Sequence, residues 1–106
     1  MASIKDKGRH IRVYGGTIAV STKITDDKCY VSEIVWYNVT TGGHKAMVKD
    51  KDGDPIFPFV CESASNGNMM TYSFDDKPFP INGIYVDDLD SGELFFFLAS
   101  RAGVAM

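Results

Sequence analysis

CYVSEIVWYNV, residues 29–39, is the longest apolar-rich run of the chain and decides the fold. Its β-branched and aromatic side chains lose more freedom in a helix than in a strand. The run also ends at a Thr-Thr-Gly-Gly segment, which provides no helical cap. In a strand, Val31 and Val35 would lie on one face and Ile34 and Trp36 on the other. The sequence therefore predicts a central strand that is covered in part on both sides.

Shorter runs with high β propensity precede and follow this strand. They are IRVYGGTIAVSTK (11–23), HKAMVKD (44–50), PIFPFVCES (55–63), MMTYSF (69–74), INGIYVDDL (81–89) and ELFFFLA (93–99), and SASNGN (63–68) is a polar loop. Gly15-Gly16 predicts a bend or bulge, and Asp26-Asp27 marks the next break. Seven or eight short strands without an amphipathic helix predict an all-β fold, an antiparallel β-sandwich or a jelly-roll-like barrel.

Two of these runs carry more specific information. Pro55 and Pro58 place the PIFPFVCES strand at an edge or in a broken segment, because proline cannot donate a ladder hydrogen bond. In the last run, Phe95 and Phe97 share one face, and Leu94, Phe96 and Leu98 share the other.

VKDKDGDPIF, residues 48–57, holds three aspartates and a glycine between apolar residues. A helix-loop-helix calcium loop counted from Asp50 would need glycine at its sixth position and glutamate at its twelfth, but these are Pro55 and Cys61. Asp-Gly between two alternating runs instead predicts a hairpin turn.

The length of 106 residues, with 44% hydrophobic and 24% charged residues, is typical of one soluble globular domain. Residues 1–10 are polar and predict a flexible N-terminal arm, followed by a single β domain in residues 11–106. No segment is apolar enough to predict a membrane span.

The formal net charge of −3 argues against binding of nucleic acid, which needs an excess of basic residues. Basic residues do cluster near the N-terminus, as Lys5, Lys7, Arg9 and Arg12. These are candidates for contact with an acidic partner.

The sequence has no motif of the common enzyme classes, such as G-x-S-x-G, H-E-x-x-H or a phosphate loop, so it predicts no catalytic residue, cofactor or metal. His44 is a loop histidine without an assignable partner. Cys29 and Cys61 lack close spacing and predict free thiols, since a zinc site would need them to converge with both histidines. The acidic turn of Asp87, Asp88 and Asp90 leaves a surface cation site open as an alternative.

Thirteen aromatic residues exceed what a thin two-layer core readily covers. Either both sheet faces are covered, or one face meets another subunit. The candidates for a subunit interface are Trp36, Tyr37, Phe95, Phe96 and Phe97. Exposed rings that stack on sugars or bases are the alternative.

The order of three segments resembles small virion proteins of tailed bacteriophages. These segments are VYGGTIAVST (13–22), SEIVWYNVTTGGHKAMVKDKDGDPIF (32–57) and INGIYVDDLDSGELFFFLA (81–99). The resemblance covers about residues 12 to 99 and rests on pattern, in particular on the closing G-x-Y-V-x-x-L-x-S-G-x-L-x-x-x-L.

The resemblance implies a decoration or cement protein, made in the host cytoplasm and bound to the exterior of the capsid. Such a protein would bind the major capsid protein and stabilise contacts between its subunits. The resemblance also implies a homotrimer with a β-sandwich or jelly-roll fold, no enzymatic activity and no membrane partner. The alternative is a small β-sandwich module of a phage tail or fibre that binds carbohydrate or a receptor.

Overall fold

The computed structural model describes residues 2–61, 69–74 and 76–102. These residues form eight strands: β1 (Ser3–Asp6), β2 (His10–Tyr14), β3 (Thr22–Tyr37), β4 (Lys45–Lys49), β5 (Pro55–Val60), β6 (Met69–Ser73), β7 (Phe79–Leu89) and β8 (Glu93–Arg101). All pairings between these strands are antiparallel. The predicted all-β fold is confirmed. In the described ranges, no helix is long and apolar enough to cross a membrane. The predicted loop SASNGN lies outside the described residues.

The sheet is organised around β3, which is 16 residues long. One edge of β3 pairs with β8, and the other pairs first with β7 and then with β6. The strand order is β1-β2-β8-β3-β7-β4-β5, with β6 beside β3. β3 is therefore the central strand that the sequence predicts, and β5, which holds two prolines, lies at an edge as predicted.

The buried side chains of β3 change from odd to even positions along the strand. Cys29 and Val31 are buried in its middle, whereas Ile34 and Trp36 are buried near its end. Between these pairs the register against β8 shifts, and an extra residue reverses the faces of all later side chains. This bulge is therefore part of the reason why β3 has apolar residues at both odd and even positions of its sequence.

The predicted break at Asp26-Asp27 is wrong, because β3 continues through both residues. Pairing with β7 shifts register between Thr25 and Lys28. The Thr25 hydroxyl accepts a hydrogen bond from the Asp27 amide at 3.1 Å. Since this side chain satisfies a backbone donor locally, the two aspartates form a bulge within the strand rather than a turn.

The core contains buried side chains of β2, β3, β4, β5, β7 and β8, and its aromatic part lies where β5 folds over β3 and β6. The Phe59 ring centroid is 5.7 Å from that of Trp36 and 5.0 Å from that of Tyr72. The Tyr72 hydroxyl also donates a 2.6 Å hydrogen bond to the Pro58 carbonyl. β5 and β6 therefore meet through side chains, which gives the sheet a sandwich or barrel-like form.

The Asp-Gly segment between β4 and β5 is the predicted turn. Asp50 Oδ1 accepts hydrogen bonds from the amides of Asp52 and Asp54, each at 3.0 Å. Gly53 has a φ of +87°, a conformation that side-chain-bearing residues rarely adopt. The Asp50 carboxylate is therefore occupied in closing the turn, as the sequence interpretation favoured.

The N-terminal segment differs from the predicted flexible arm. Ser3–Asp6 form β1, which pairs with β2. Asp6 also accepts two hydrogen bonds from Arg101, at 2.7 and 2.9 Å. A charged segment is ordered here because a distant arginine on β8 holds its end, and composition does not reveal that contact.

Candidate functional site

One surface of β1, β2, β8, β3 and β6 faces away from the core, and we call it the outer face. Residues paired directly in antiparallel strands point to the same side of a sheet, so the register identifies its members. They form three rows across the strands: His10, Phe97, Glu33 and Ser73; Lys5, Arg12, Phe95, Val35 and Thr71; and Glu93, Tyr37 and Met69. The pair Ser3–Tyr14 lies on the same side, two residues along β1 and β2 from Lys5 and Arg12.

The middle of the outer face is apolar and exposed. Tyr37 is 48% exposed, Phe97 38% and Met69 60%. Together with Val35 and Phe95 they line a shallow depression of about 290 Å³. Large apolar side chains that share one patch of surface are typical of an interaction site.

Three rings of the outer face are stacked in nearly parallel planes. The planes of Phe95 and Phe97 differ by 8°, with centroids 6.5 Å apart. The His10 ring is parallel to both, 5.0 Å from Phe97 and 6.1 Å from Phe95. Its Nε2 is buried and has no hydrogen-bond partner among the described residues. Mutual packing therefore restrains these rings before any ligand arrives.

Arg12 lies beside this stack. Its guanidinium carbon is 4.3 Å from the centroid of the Tyr14 ring and 5.7 Å from that of Phe95. Its Nε and Nη2 atoms each lie 2.6 Å from Oε1 of Glu93. The Arg12 side chain is still 38% exposed. The outer face thus combines rings with an accessible cation that is already oriented.

The five predicted interface aromatics separate into two groups. Tyr37, Phe95 and Phe97 lie on the outer face, as an interface requires. Trp36 and Phe96 are fully buried in the core, and the Trp36 indole donates a 2.8 Å hydrogen bond to the Ser91 carbonyl. These two residues were wrongly assigned to a surface, because the register shift in β3 turns Trp36 inward and alternation along β8 turns Phe96 inward.

The four predicted basic contacts lie on the hairpin of β1 and β2 and not on a free arm. Lys5 is paired in register with Arg12, so both belong to the outer face. Lys7 and Arg9 are exposed at the turn of the hairpin. The hairpin therefore places two of the four cations on the same surface as the aromatic rings, with Arg12 in contact with them.

Sequence reasoning missed that His10 and Tyr14 belong to the same surface as Phe95. The signal was the alternation of HIRVY, in which Ile11 and Val13 are fully buried. Alternation alone gives the two faces of β2, but only its pairing with β8 brings these side chains to the phenylalanines.

The acidic segment VDDLDSG (86–92) borders a second depression of about 470 Å³. Asp87 forms a 3.2 Å ion pair with Lys49. Burial and a hydrogen bond with Asp90 raise the pKa of Asp88 to about 6, and that hydrogen bond lowers the pKa of Asp90. Below about pH 6, where Asp88 is protonated, its carboxyl group can therefore donate to Asp90. In the described ranges, no group of three or more His, Cys, Asp or Glu is arranged to hold a metal ion.

His44 and Ser91 form the polar pair closest to catalytic geometry, with 2.7 Å between Nδ1 and Oγ. The Ser91 Oγ also accepts a 3.2 Å hydrogen bond from the Thr40 amide. A nucleophilic serine needs a base that a third group orients, and no acceptor for the second His44 ring nitrogen is found in the part of the chain that the structure describes. The pair instead joins the loop before β4 to the turn before β8.

Both cysteines are free, as the sequence predicts, and the structure buries both of them. Burial raises the pKa of Cys29 to about 11. Its thiol donates to the Asp27 carbonyl at a sulfur–oxygen distance of 3.3 Å. At neutral pH the Cys29 thiol is therefore protonated and weakly reactive.

Comparison of the chain with protein families, characterised proteins and solved structures gave no significant match.

Proposed function

We propose that the protein is a non-enzymatic structural protein of a tailed-phage virion. In this role it is a decoration or cement subunit that binds the exterior of the head and stabilises contacts between major capsid subunits. The observation that carries the proposal is the exposed apolar outer face, with Tyr37 48% and Phe97 38% exposed beside Arg12. The family resemblance of the sequence supports the choice of partner.

The shape of this surface suits protein docking better than the capture of a small substrate. The depression between Tyr37, Met69 and Phe97 is shallow and has only apolar walls. Catalytic and small-molecule sites are concave and place a few polar groups at defined positions. A broad apolar surface with charged groups around it resembles the core and rim of a protein interface.

The basic hairpin gives the proposed subunit a second contact surface. Lys7 and Arg9 lie at its turn, and Lys5 on β1 is exposed. Because β1 is hydrogen-bonded to β2, these cations are displayed at fixed positions, which reduces the entropy lost on binding an acidic surface. Several weak contacts of this kind, repeated over a shell, stabilise it by mass action.

The test is attachment to undecorated capsids of the phage that encodes the protein. We expect saturable binding and a higher melting temperature of the particle. Phe97→Ser should weaken attachment, because it removes an exposed ring from the outer face. Val60→Ser is the matched control, since Val60 is 52% exposed but lies on β5, away from that face. Absence of attachment by the unmodified protein would refute the proposal.

A second candidate is a carbohydrate-binding module of a tail or fibre. The parallel rings of His10, Phe95 and Phe97 beside the Arg12–Glu93 pair favour it, because sugars combine apolar faces with hydroxyl groups. Binding of the unmodified protein, but not of Phe97→Ser, on a glycan array would support this candidate. No retained glycan, together with saturable capsid attachment, would exclude it.

A further inference from the structure

One corner of the outer face holds two cations opposite each other. Lys5 on β1 and Arg12 on β2 are directly paired across the strands, which brings their Cβ atoms to about 5 Å. Like charges in this arrangement destabilise a sheet. Glu93 offsets the charge of Arg12, but no ion pair of Lys5 occurs within the described residues. The free protein therefore carries an uncompensated positive charge at this corner.

Hydrogen-bond donors surround the two cations. Ser3 and Tyr14 form the next pair on the same side of β1 and β2. Their hydroxyl groups have no hydrogen-bond partner in the part of the chain that the structure describes. Arg12 faces Glu93 only through its Nε and Nη2 atoms, so both N–H groups of Nη1 are available. We call Ser3, Lys5, Arg12 and Tyr14 the donor corner.

The donor corner adjoins the apolar depression of the outer face. The Arg12 guanidinium carbon is 5.7 Å from the centroid of the Phe95 ring. Phe95 in turn lines the depression together with Tyr37 and Phe97. Since neighbouring strands are about 4.8 Å apart, a ligand that reaches both places needs an anionic group and an apolar group about 5 to 10 Å apart.

We propose that the donor corner binds a carboxylate group of the protein that docks on the outer face, and that an apolar side chain of the same segment fills the depression. This inference rests on the proposed function, in which the outer face binds capsid protein, and it specifies the chemistry of the contact. The carboxylate accepts hydrogen bonds from Arg12 Nη1 and the Lys5 ammonium group. Its negative charge removes the repulsion between the two cations.

The other charges of the molecule favour a single carboxylate over a polyanion. Glu33 on the same face is three strands from Lys5 and two residues along, a separation of about 15 Å. That distance exceeds the screening length of about 8 Å at physiological salt, so Glu33 has little effect on one carboxylate at the corner. A nucleic acid strand would extend its phosphates toward Glu33, and the formal net charge of −3 would repel it as a whole.

Titration of the full chain with 3-phenylpropionate, followed by NMR, tests the donor corner without a capsid. This probe carries a carboxylate and a ring at the required separation. We expect saturable shifts of the Arg12 and Phe95 signals, with a dissociation constant in the low millimolar range. The neutral 3-phenylpropanamide should bind at least about fivefold more weakly, because it lacks the charge. Inorganic phosphate, which has the charge of a nucleic acid backbone but no ring, should also bind at least about fivefold more weakly.

Substitutions of Lys5 separate the effect of charge from that of structure. Lys5→Glu should weaken the binding of 3-phenylpropionate by about tenfold, because it reverses the uncompensated charge. Lys5→Arg keeps the charge and should retain most of the affinity. Lys51→Glu makes the same charge change in the β4–β5 turn, outside the outer face, and should leave the affinity unchanged. Lys5 is exposed on an edge strand, and circular dichroism of each variant confirms that it is folded.

Three results would overturn the inference. They are equal binding of the acid and its amide, binding of phosphate as tight as that of 3-phenylpropionate, and a dissociation constant that Lys5→Glu leaves unchanged.

Attachment to undecorated capsids distinguishes this inference from the proposed function. Where the unmodified protein attaches, Lys5→Glu should lower its affinity for the capsid by about tenfold. Attachment that Lys5→Glu does not weaken would overturn the carboxylate contact and leave the decoration role standing. A protein that binds 3-phenylpropionate as expected but never attaches would refute the decoration role and leave the chemistry of the donor corner standing.

Discussion

Phe96 and Phe97 are neighbours on β8 but have different surroundings. Phe96 is fully buried among core side chains, whereas Phe97 is 38% exposed on the outer face. Their residue types are the same, so the alternation of the strand and what covers each face make the difference. The comparison teaches that one strand supplies both the core of this protein and its candidate interaction surface.

Arg101 and Arg12 differ in a related way. Arg101 has a side chain only 8% exposed, and it donates to Asp6, Asp27, Gly8 and Thr25. These five bonds use all five of its N–H groups. Arg12 donates to one carboxylate oxygen and remains 38% exposed. Arg101 is thus committed to the fold, and Arg12 keeps donors for a partner.

The largest expected effect comes from the two phenylalanines. Phe96→Ala should lower the free energy of unfolding by about 4 kcal/mol, because it leaves a cavity in the core. Phe97→Ala should lower it by about 1 kcal/mol or less, because its ring is partly in water already. Urea denaturation measures both. Similar losses would show that the outer face is as important to the fold as the core.

Replacement of each arginine by lysine is expected to have the next largest effect on the free energy of unfolding. Arg101→Lys should lower the free energy of unfolding by about 2 to 3 kcal/mol, since one ammonium group cannot satisfy Asp6 and Asp27 together. Arg12→Lys should cost about 0.5 kcal/mol, because its ion pair is exposed. Chemical denaturation at pH 7 provides the measurement. If Arg101→Lys were neutral, the clamp on β1 would be unimportant for stability.

The smallest effect on stability is expected in the acidic segment VDDLDSG (86–92), which belongs neither to the aromatic core nor to the outer face. The fold favours protonated Asp88, so its stabilising effect is complete below its usual pKa of 3.8 and is lost as pH rises through about 6. Asp88→Asn retains a donor toward Asp90 and cannot ionise. At pH 7.5 it should raise the free energy of unfolding by about 1 kcal/mol or less.

Measurement at a lower pH provides the control for the Asp88→Asn variant. At pH 4 the stabilisation by Asp88→Asn should disappear, because Asp88 is then protonated in the parent protein. Asp87→Asn should instead lower stability slightly at pH 7.5, since it breaks the pair with Lys49. A pH-independent gain from Asp88→Asn would contradict the raised pKa.

Local physics determined much of this protein from its sequence. β-branched and aromatic runs specify strands, Asp50 and Gly53 specify a hairpin turn, and alternation in ELFFFLA separates Phe96 from its neighbours. Each of these features depends on residues close together in the chain, so the sequence pattern carries the information.

Only the tertiary structure decided which side chains meet across the sheet. Arg12 pairs with Glu93, 81 residues away, and Arg101 holds Asp6, 95 residues away. The bulges in β3 moved Trp36 into the core, and the clamp on Asp6 turned a predicted arm into an edge strand. Register and long-range pairing depend on packing of the whole sheet, which no local pattern encodes.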